Sequence, residues 1–275
     1  MPQSVLLAEL TREQIRRLAP EATVILPTAA IEQHGPHLPT LTDTAACGAV
    51  CQRAAEAAAA MGATVLVAPV MWIGHSHHHF PHPGVLSLST GTFVQVLREL
   101  GDSLVRSGFR RIAIVNGHGG NDELIRVAAR DIHNAYNPPI GGPVVAAGAQ
   151  VSGVSVAATS YWTAAWRELA PLVEAAGHGA LPGHAGAFET SLVLALRPEL
   201  VDQASYPAAL PGRSIGPAPV HAPTVIRAGE SLGTGPGYTD DPRQASAEVG
   251  QRYLEAIARG LSSFLLDFHR SHPSG

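Results

Sequence analysis

The stretch Val24-Ile25-Leu26, followed by Glu32-Gln33-His34-Gly35-Pro36-His37 and then by Thr42-Asp43-Thr44, decides how this chain is read. An apolar run of strand type ends in a loop that carries two carboxylates and two imidazoles within twelve residues. In an extended segment residues two apart point to the same side, so Glu32 and His34 can face one site together. Asp43 alone would read as the cap of the helix that follows. Beside Glu-x-His it reads instead as a carboxylate able to bridge two metals through its two oxygens. Carboxylate oxygen with imidazole nitrogen suits Zn, Mn or Fe(II).

Two further segments complete the pattern. Asn116-Gly117-His118-Gly119-Gly120-Asn121 follows the strand-like run Arg111 to Asn116, and His184-Ala185-Gly186-Ala187-Phe188-Glu189 precedes a helix. Gly119 and Gly120 let backbone approach an ion or substrate closely. Asn116 and Asn121 are expected to hold that loop through side-chain bonds to backbone. His184, beside helix N-terminal amides, suits a developing oxyanion. Glu189 reads as a metal ligand or a base for water, or as a helix-start charge only. The loop His75 to His82 holds five histidines; His78 and His82 are taken to contact substrate, with the rest in solvent. Trp162 and Trp166 either wall the pocket or fill core.

Working outward, β-type runs alternate with helical ones, which predicts an α/β fold with a largely parallel sheet. Strands are expected at Thr23 to Pro27, Thr64 to Val70 and Arg111 to Asn116, with another strand or two in Val144 to Val156. Helices are expected at Thr11 to Leu18, Asp43 to Met61, Gly91 to Gly108, Asn121 to Tyr136, Glu189 to Leu196 and Pro242 to His269. Residues 205–240, rich in Pro and Gly, read as an irregular surface excursion, and the tail from Ser271 as frayed. Each candidate ligand lies where a strand gives way to a loop or helix, the edge on which open α/β sheets build sites.

Composition narrows the chemistry. The chain has 275 residues, room for one large α/β domain over 1–275. Its net charge of -4 gives no footprint for nucleic acid or an anionic membrane. All 18 basic residues are arginine. A Schiff-base lysine, a P-loop lysine and a carbamylated bridging lysine are therefore excluded. Cys47 and Cys51, four apart on a helix, read as small buried hydrophobes. With no apolar segment after Met1 and no run of about 20 apolar residues, a cytoplasmic location is expected.

Taken in order, these motifs, with Phe80-Pro81 and Gly84 between them, resemble the creatininase (creatinine amidohydrolase) family. The resemblance implies a single three-layer α/β/α domain, a dinuclear Zn or Mn site and amide hydrolysis, often in a homohexamer. It implies Glu32, His34, Asp43 and His118 as ligands, Asp43 as bridge, and His184 as proton shuttle to the leaving nitrogen. Trp162 matches a pocket tryptophan. Two positions depart from true creatinine hydrolases, Gly120 where they carry Glu and Ala180 where they carry a gating Trp. A small amide other than creatinine is the expected substrate, with Glu189 taking the missing carboxylate's place. The rival readings are a peptidase trimming a small modified peptide, a hydrolase of a cyclic keto compound, and a non-catalytic metal-binding protein on the same fold.

Overall fold

In a computed structural model, which describes residues 4–137, 153–178, 181–207 and 237–271, four strands form one parallel sheet. They are β1 (Thr23–Thr28), β2 (Val65–Val67), β3 (Arg111–Asn116) and β4 (Ser155–Ser160). Their order is β2-β1-β3-β4, and all pairs run parallel. Every residue of β1 and β3 is buried, as strands covered on both faces require.

The period of two sorts their side chains. Val24, Leu26, Ile112 and Ile114 join one core with α1 (Arg12–Leu18), α3 (Thr90–Arg106) and α4 (Asp122–Tyr136). Ile25, Ala113 and Val115 face the other layer: α2 (Thr42–Ala60), α5 (Tyr161–Ala164), α6 (Trp166–Ala175), α7 (Ala187–Leu196) and α8 (Ala247–Arg270). The architecture is three-layer α/β/α, as expected. Thr11 and Gln14 make a reciprocal cap at α1.

The expected strands at β1 and β3 are present. The second is shorter than Thr64 to Val70, because only Val65–Val67 pairs with β1. The fourth begins at Ser155, and residues 144–152 of its expected range lie outside the described residues. So do most of the 205–240 excursion, Ala180, and the tail after Ser271. Pro242–Gln244 is a separate 3-10 turn rather than the start of α8. Asp241 accepts from Arg243 N–H there, and Ser246 caps α8. Helices α5 and α6 were not anticipated.

Small residues set how close α2 lies to the sheet. Ala46, Cys47, Val50, Cys51, Ala54, Ala55 and Ala58 form its buried face, so both cysteines serve as core. A Cβ on Gly117 would stand 2.6 Å from Cys47 Cβ. That approach brings the first turn of α2 against the loop after β3. The chain order reverses between β1 and β3, so their carboxyl ends flank a topological switch point. Among the described residues no helix is long and apolar enough to cross a membrane.

Candidate metal centre

At that switch point the loop after β1 brings in Glu32 and His34, α2 brings Asp43, and the loop after β3 brings His118. His184 and Glu189 come from the start of α7. All six are buried, none more than 6% exposed. Asp43 is inside the first turn of α2, whose cap residue is Leu41, so its carboxylate is not a cap. Its two oxygens face two different imidazoles. Oδ1 is 3.1 Å from His34 Nε2 and Oδ2 is 3.1 Å from His118 Nδ1. Glu32 Oε2 lies 3.2 Å from His118 Nδ1, and Glu189 Oε2 lies 3.6 Å from His34 Nε2.

The outer nitrogen of each imidazole is committed to backbone. His34 Nδ1 is 3.2 Å from Glu32 O, and His118 Nε2 is 3.1 Å from His75 O. Each nitrogen can only donate to its carbonyl, which leaves the lone pair of the other nitrogen aimed at the carboxylates. This is how ligating histidines are oriented. Lone pairs on both sides repel unless a proton or cation lies between. Donors around one ion at about 2.0–2.2 Å stand roughly 3–3.6 Å apart, the spacing seen here. Asp43 Oδ2 is buried with no hydrogen-bond partner. The donor set therefore fits divalent cations, and Glu32, His34 and Asp43 form one group able to hold an ion.

The electrostatics are those of a crowded anionic pocket. Burial opposes ionisation of Glu32, but His118 and His79 outweigh it and hold the carboxyl well below its usual range. Burial likewise disfavours charge on His34, yet Asp43 and Glu189 bring its pKa up to about 10. His118 is raised in the same way by Glu32 and Asp43 against its burial. Burial pushes the Glu189 carboxyl up to about 8, with His34 opposing. Glu189 also accepts from Ala185 N–H at 2.6 Å. It thus serves the helix start and faces the centre at once.

His184 is held on three sides. Its N–H donates to Thr239 Oγ1 at 2.8 Å, and its carbonyl accepts from Thr239 N–H at 2.8 Å. Its Nε2 lies 2.9 Å from Gln33 O, while Nδ1 turns to Glu32 Oε1 at 3.6 Å. Burial, reinforced by His34, keeps this ring neutral, with its pKa well below the ordinary value.

A cavity of about 130 Å³ opens over the centre, lined among others by Glu32, Asp43, His78, His118, Gly119, Gly120, Trp162, His184 and Glu189. Of the two histidines expected to contact substrate, His78 lines it and His82 does not. Trp162 both lines it and packs into the core, whereas Trp166 only packs against that core. Asn116 and Asn121 hold the loop as expected: Asn116 Nδ2 donates to His118 O at 2.6 Å, and Asn121 Nδ2 to Ala29 O at 3.1 Å.

Sequence reasoning did not single out His79 and Ser76. His79 Nδ1 is 2.8 Å from Glu32 Oε2, and Ser76 Oγ donates to the same oxygen at 2.5 Å. The signal was their spacing of three, which a 3-10 turn at His77–His79 places on one side. His37 stands apart from this cluster, with Nε2 3.0 Å from Thr190 Oγ1.

Fold and donor set together define a class: a three-layer α/β protein with a buried carboxylate–imidazole centre at its switch point. Residues 8–265 match the Creatininase family model, described as creatinine amidohydrolase. The chain belongs to the creatininase family and is a hydrolase of that family. It is 30% identical to the creatinine amidohydrolase of Pseudomonas putida, over 95% of this chain and 96% of that one. It is 28% identical to the mycofactocin precursor peptide peptidase of Mycobacterium tuberculosis, over 91% and 86%. To the 3-dehydro-scyllo-inosose hydrolase of Thermotoga maritima it is 28% identical, over 100% and 86%. A creatininase solved as its Mn form and a creatininase mutant of Zn-Zn type each superimpose with a TM-score of 0.72, at 26% identity, over 99% of this chain and 100% of theirs.

Proposed function

We propose that this protein hydrolyses a carbon–nitrogen amide bond, cyclic or formamide-like, in a small molecule, at a centre for two divalent cations. The observation that carries the reading is the split of Asp43, whose two oxygens face two separate imidazoles. One place has Glu32, His118 and Asp43 Oδ2 around it; the other has His34, Glu189 and Asp43 Oδ1. Zinc or manganese suits both donor sets. Bound there, the cations supply a water whose pKa falls from 15.7 towards about 7, and they polarise a carbonyl.

The chain's own residues do the rest. Ser76 and His79 fix Glu32 by two bonds to one oxygen, so the carboxylate cannot swing. Gln33 and Thr239 hold His184 so that Nδ1 faces the centre. Neutral in the resting site, this imidazole can take a proton at Nδ1 and give it to the departing nitrogen. General acid–base help of this kind is worth about 10²–10⁴-fold in rate. Trp162 offers an apolar wall for the substrate, and Gly119 and Gly120 line the cavity without side chains.

A peptidase acting on a small modified peptide is the second reading. It is favoured by Gly119, exposed at the cavity rim, where an extended chain would meet no side chain. A homohexamer, implied by the resemblance, belongs to the same proposal and is checked by sedimentation.

The test is a panel of cyclic amides, N-formyl compounds and short peptides, run before and after chelation and after return of zinc or manganese. Turnover lost on chelation and restored by metal is expected, with small amides ahead of peptides. Turnover that survives complete metal removal would overturn the reading.

A further inference from the structure

His78 is the cavity-lining side chain that the mechanism above leaves without a task. It is carried by the 3-10 turn His77–His79, whose last residue grips Glu32. Its ring lies parallel to that of His118, with centroids 5.6 Å apart and planes 9° apart. Among the described residues neither of its ring nitrogens has a hydrogen-bond partner. One of those nitrogens, one of His118 and a Glu32 oxygen lie within 4.8 Å of one another, a group able to hold an ion.

Gly120 explains how the ring comes to be there. A Cβ on Gly120 would stand 2.5 Å from His118 Nε2, 2.5 Å from His75 O and 2.8 Å from His78 Cε1. The His75 carbonyl is backbone, and it is also the group that orients His118. It cannot withdraw without releasing that ring. Any side chain at position 120 and the present place of His78 therefore exclude each other.

Resting on the metal-centre reading, we infer that His78 is a further nitrogen ligand of the cation at Glu32 and His118, admitted by the absence of a side chain at Gly120. With Asp43 Oδ2, that place then has two nitrogen and two oxygen donors. With His184 reserved for proton transfer, the place at His34 and Glu189 has one nitrogen. Imidazole favours zinc, whereas carboxylate and water donors suit manganese. His78 thus biases one of the two places toward zinc.

The test uses full-length protein purified without a histidine tag and stripped of metal. Wild type and His78→Ala are titrated with zinc and with manganese against a chromophoric chelator, and the visible spectrum of each cobalt-loaded protein is recorded. Even partners that only orient a ligand are worth about 10–100-fold in metal affinity. The variant should therefore lose at least about tenfold in zinc affinity at one place, with manganese affinity there changing far less and the cobalt bands shifting. His78→Gln repeats the measurement with the loop volume kept, should the alanine variant misfold. Equal zinc affinities and superimposable cobalt spectra would overturn the assignment while leaving the two-cation centre standing. A wild type that binds no zinc, manganese or cobalt would instead overturn the metal centre itself.

Discussion

Asp43 sits in the first turn of α2, where an acid ordinarily gains about 0.3–1 kcal/mol from the helix dipole. Its carboxylate is aimed instead at His34 and His118, so its loss should be felt in metal content more than in folding. Asp43→Ala is expected to abolish activity and retain at most one ion per chain by metal analysis. His37→Ala should retain two, because His37 spends its ring on Thr190. Two ions in the Asp43 variant would remove the bridge. His184 gives a second residue-scale prediction. If it protonates the leaving nitrogen, His184→Ala should keep both metals and lose about two to four orders of magnitude in turnover. The loss should shrink for amides with less basic leaving groups, since those need less protonation in the transition state. A missing ion together with equal losses on all amides would make His184 a ligand.

At the scale of elements, close approach between helices and sheet positions the site. Helix α7 is buried through most of its length between α2 and α8, so it presents no polar face to solvent. Its tightest crossing is at Gly250, where a Cβ would meet Ser191 O at 1.8 Å. Gly250→Ala must push α8 away from the helix that begins beside His184 and carries Glu189. A loss of about 1–3 kcal/mol is expected from such overpacking, read as a lower midpoint in urea. An unchanged midpoint would show that the two helices separate freely. Local pattern made most elements legible: β1 and β3 are short continuous apolar runs, and α3, α4 and α8 repeat apolar residues at three- and four-residue spacing. It failed where neighbours decide. β2 is three residues because only three find β1. Helix α5 is four residues long, and α6 contains Pro171, which obscures its signal.

Over the whole molecule, five separated segments meet at the end of β1 and β3, and the sequence shows each of them without showing which atoms face inward. Glu32, His34, Asp43, His118, His184 and Glu189 were legible because each adjoins a strand end or a helix start. Among the histidines of 75–82, His78 was expected at the cavity and lines it, but His79 was not singled out, since five like residues in one loop differ only in which way a 3-10 turn points them. That turn has a consequence for substrate choice. His78 and the bare backbone of Gly120 shape the cavity wall where creatinine hydrolases, by the resemblance noted above, carry a carboxylate. A small cyclic amide that must be held by hydrogen bonds to such a carboxylate finds an imidazole already engaged with the centre. Buried polar groups of a substrate left unpaired in this way cost about 1–3 kcal/mol each. Creatinine should therefore be turned over poorly, with kcat/KM below about 10⁴ M⁻¹s⁻¹, the lower end for ordinary enzymes. Amides that need no such partner, such as N-formyl compounds, should be hydrolysed faster by the same zinc-loaded protein. Steady-state kinetics on the two substrates side by side decide the matter: creatinine turned over as fast as the best amide of the panel would mean that neither His78 nor Gly120 sets the specificity of this site.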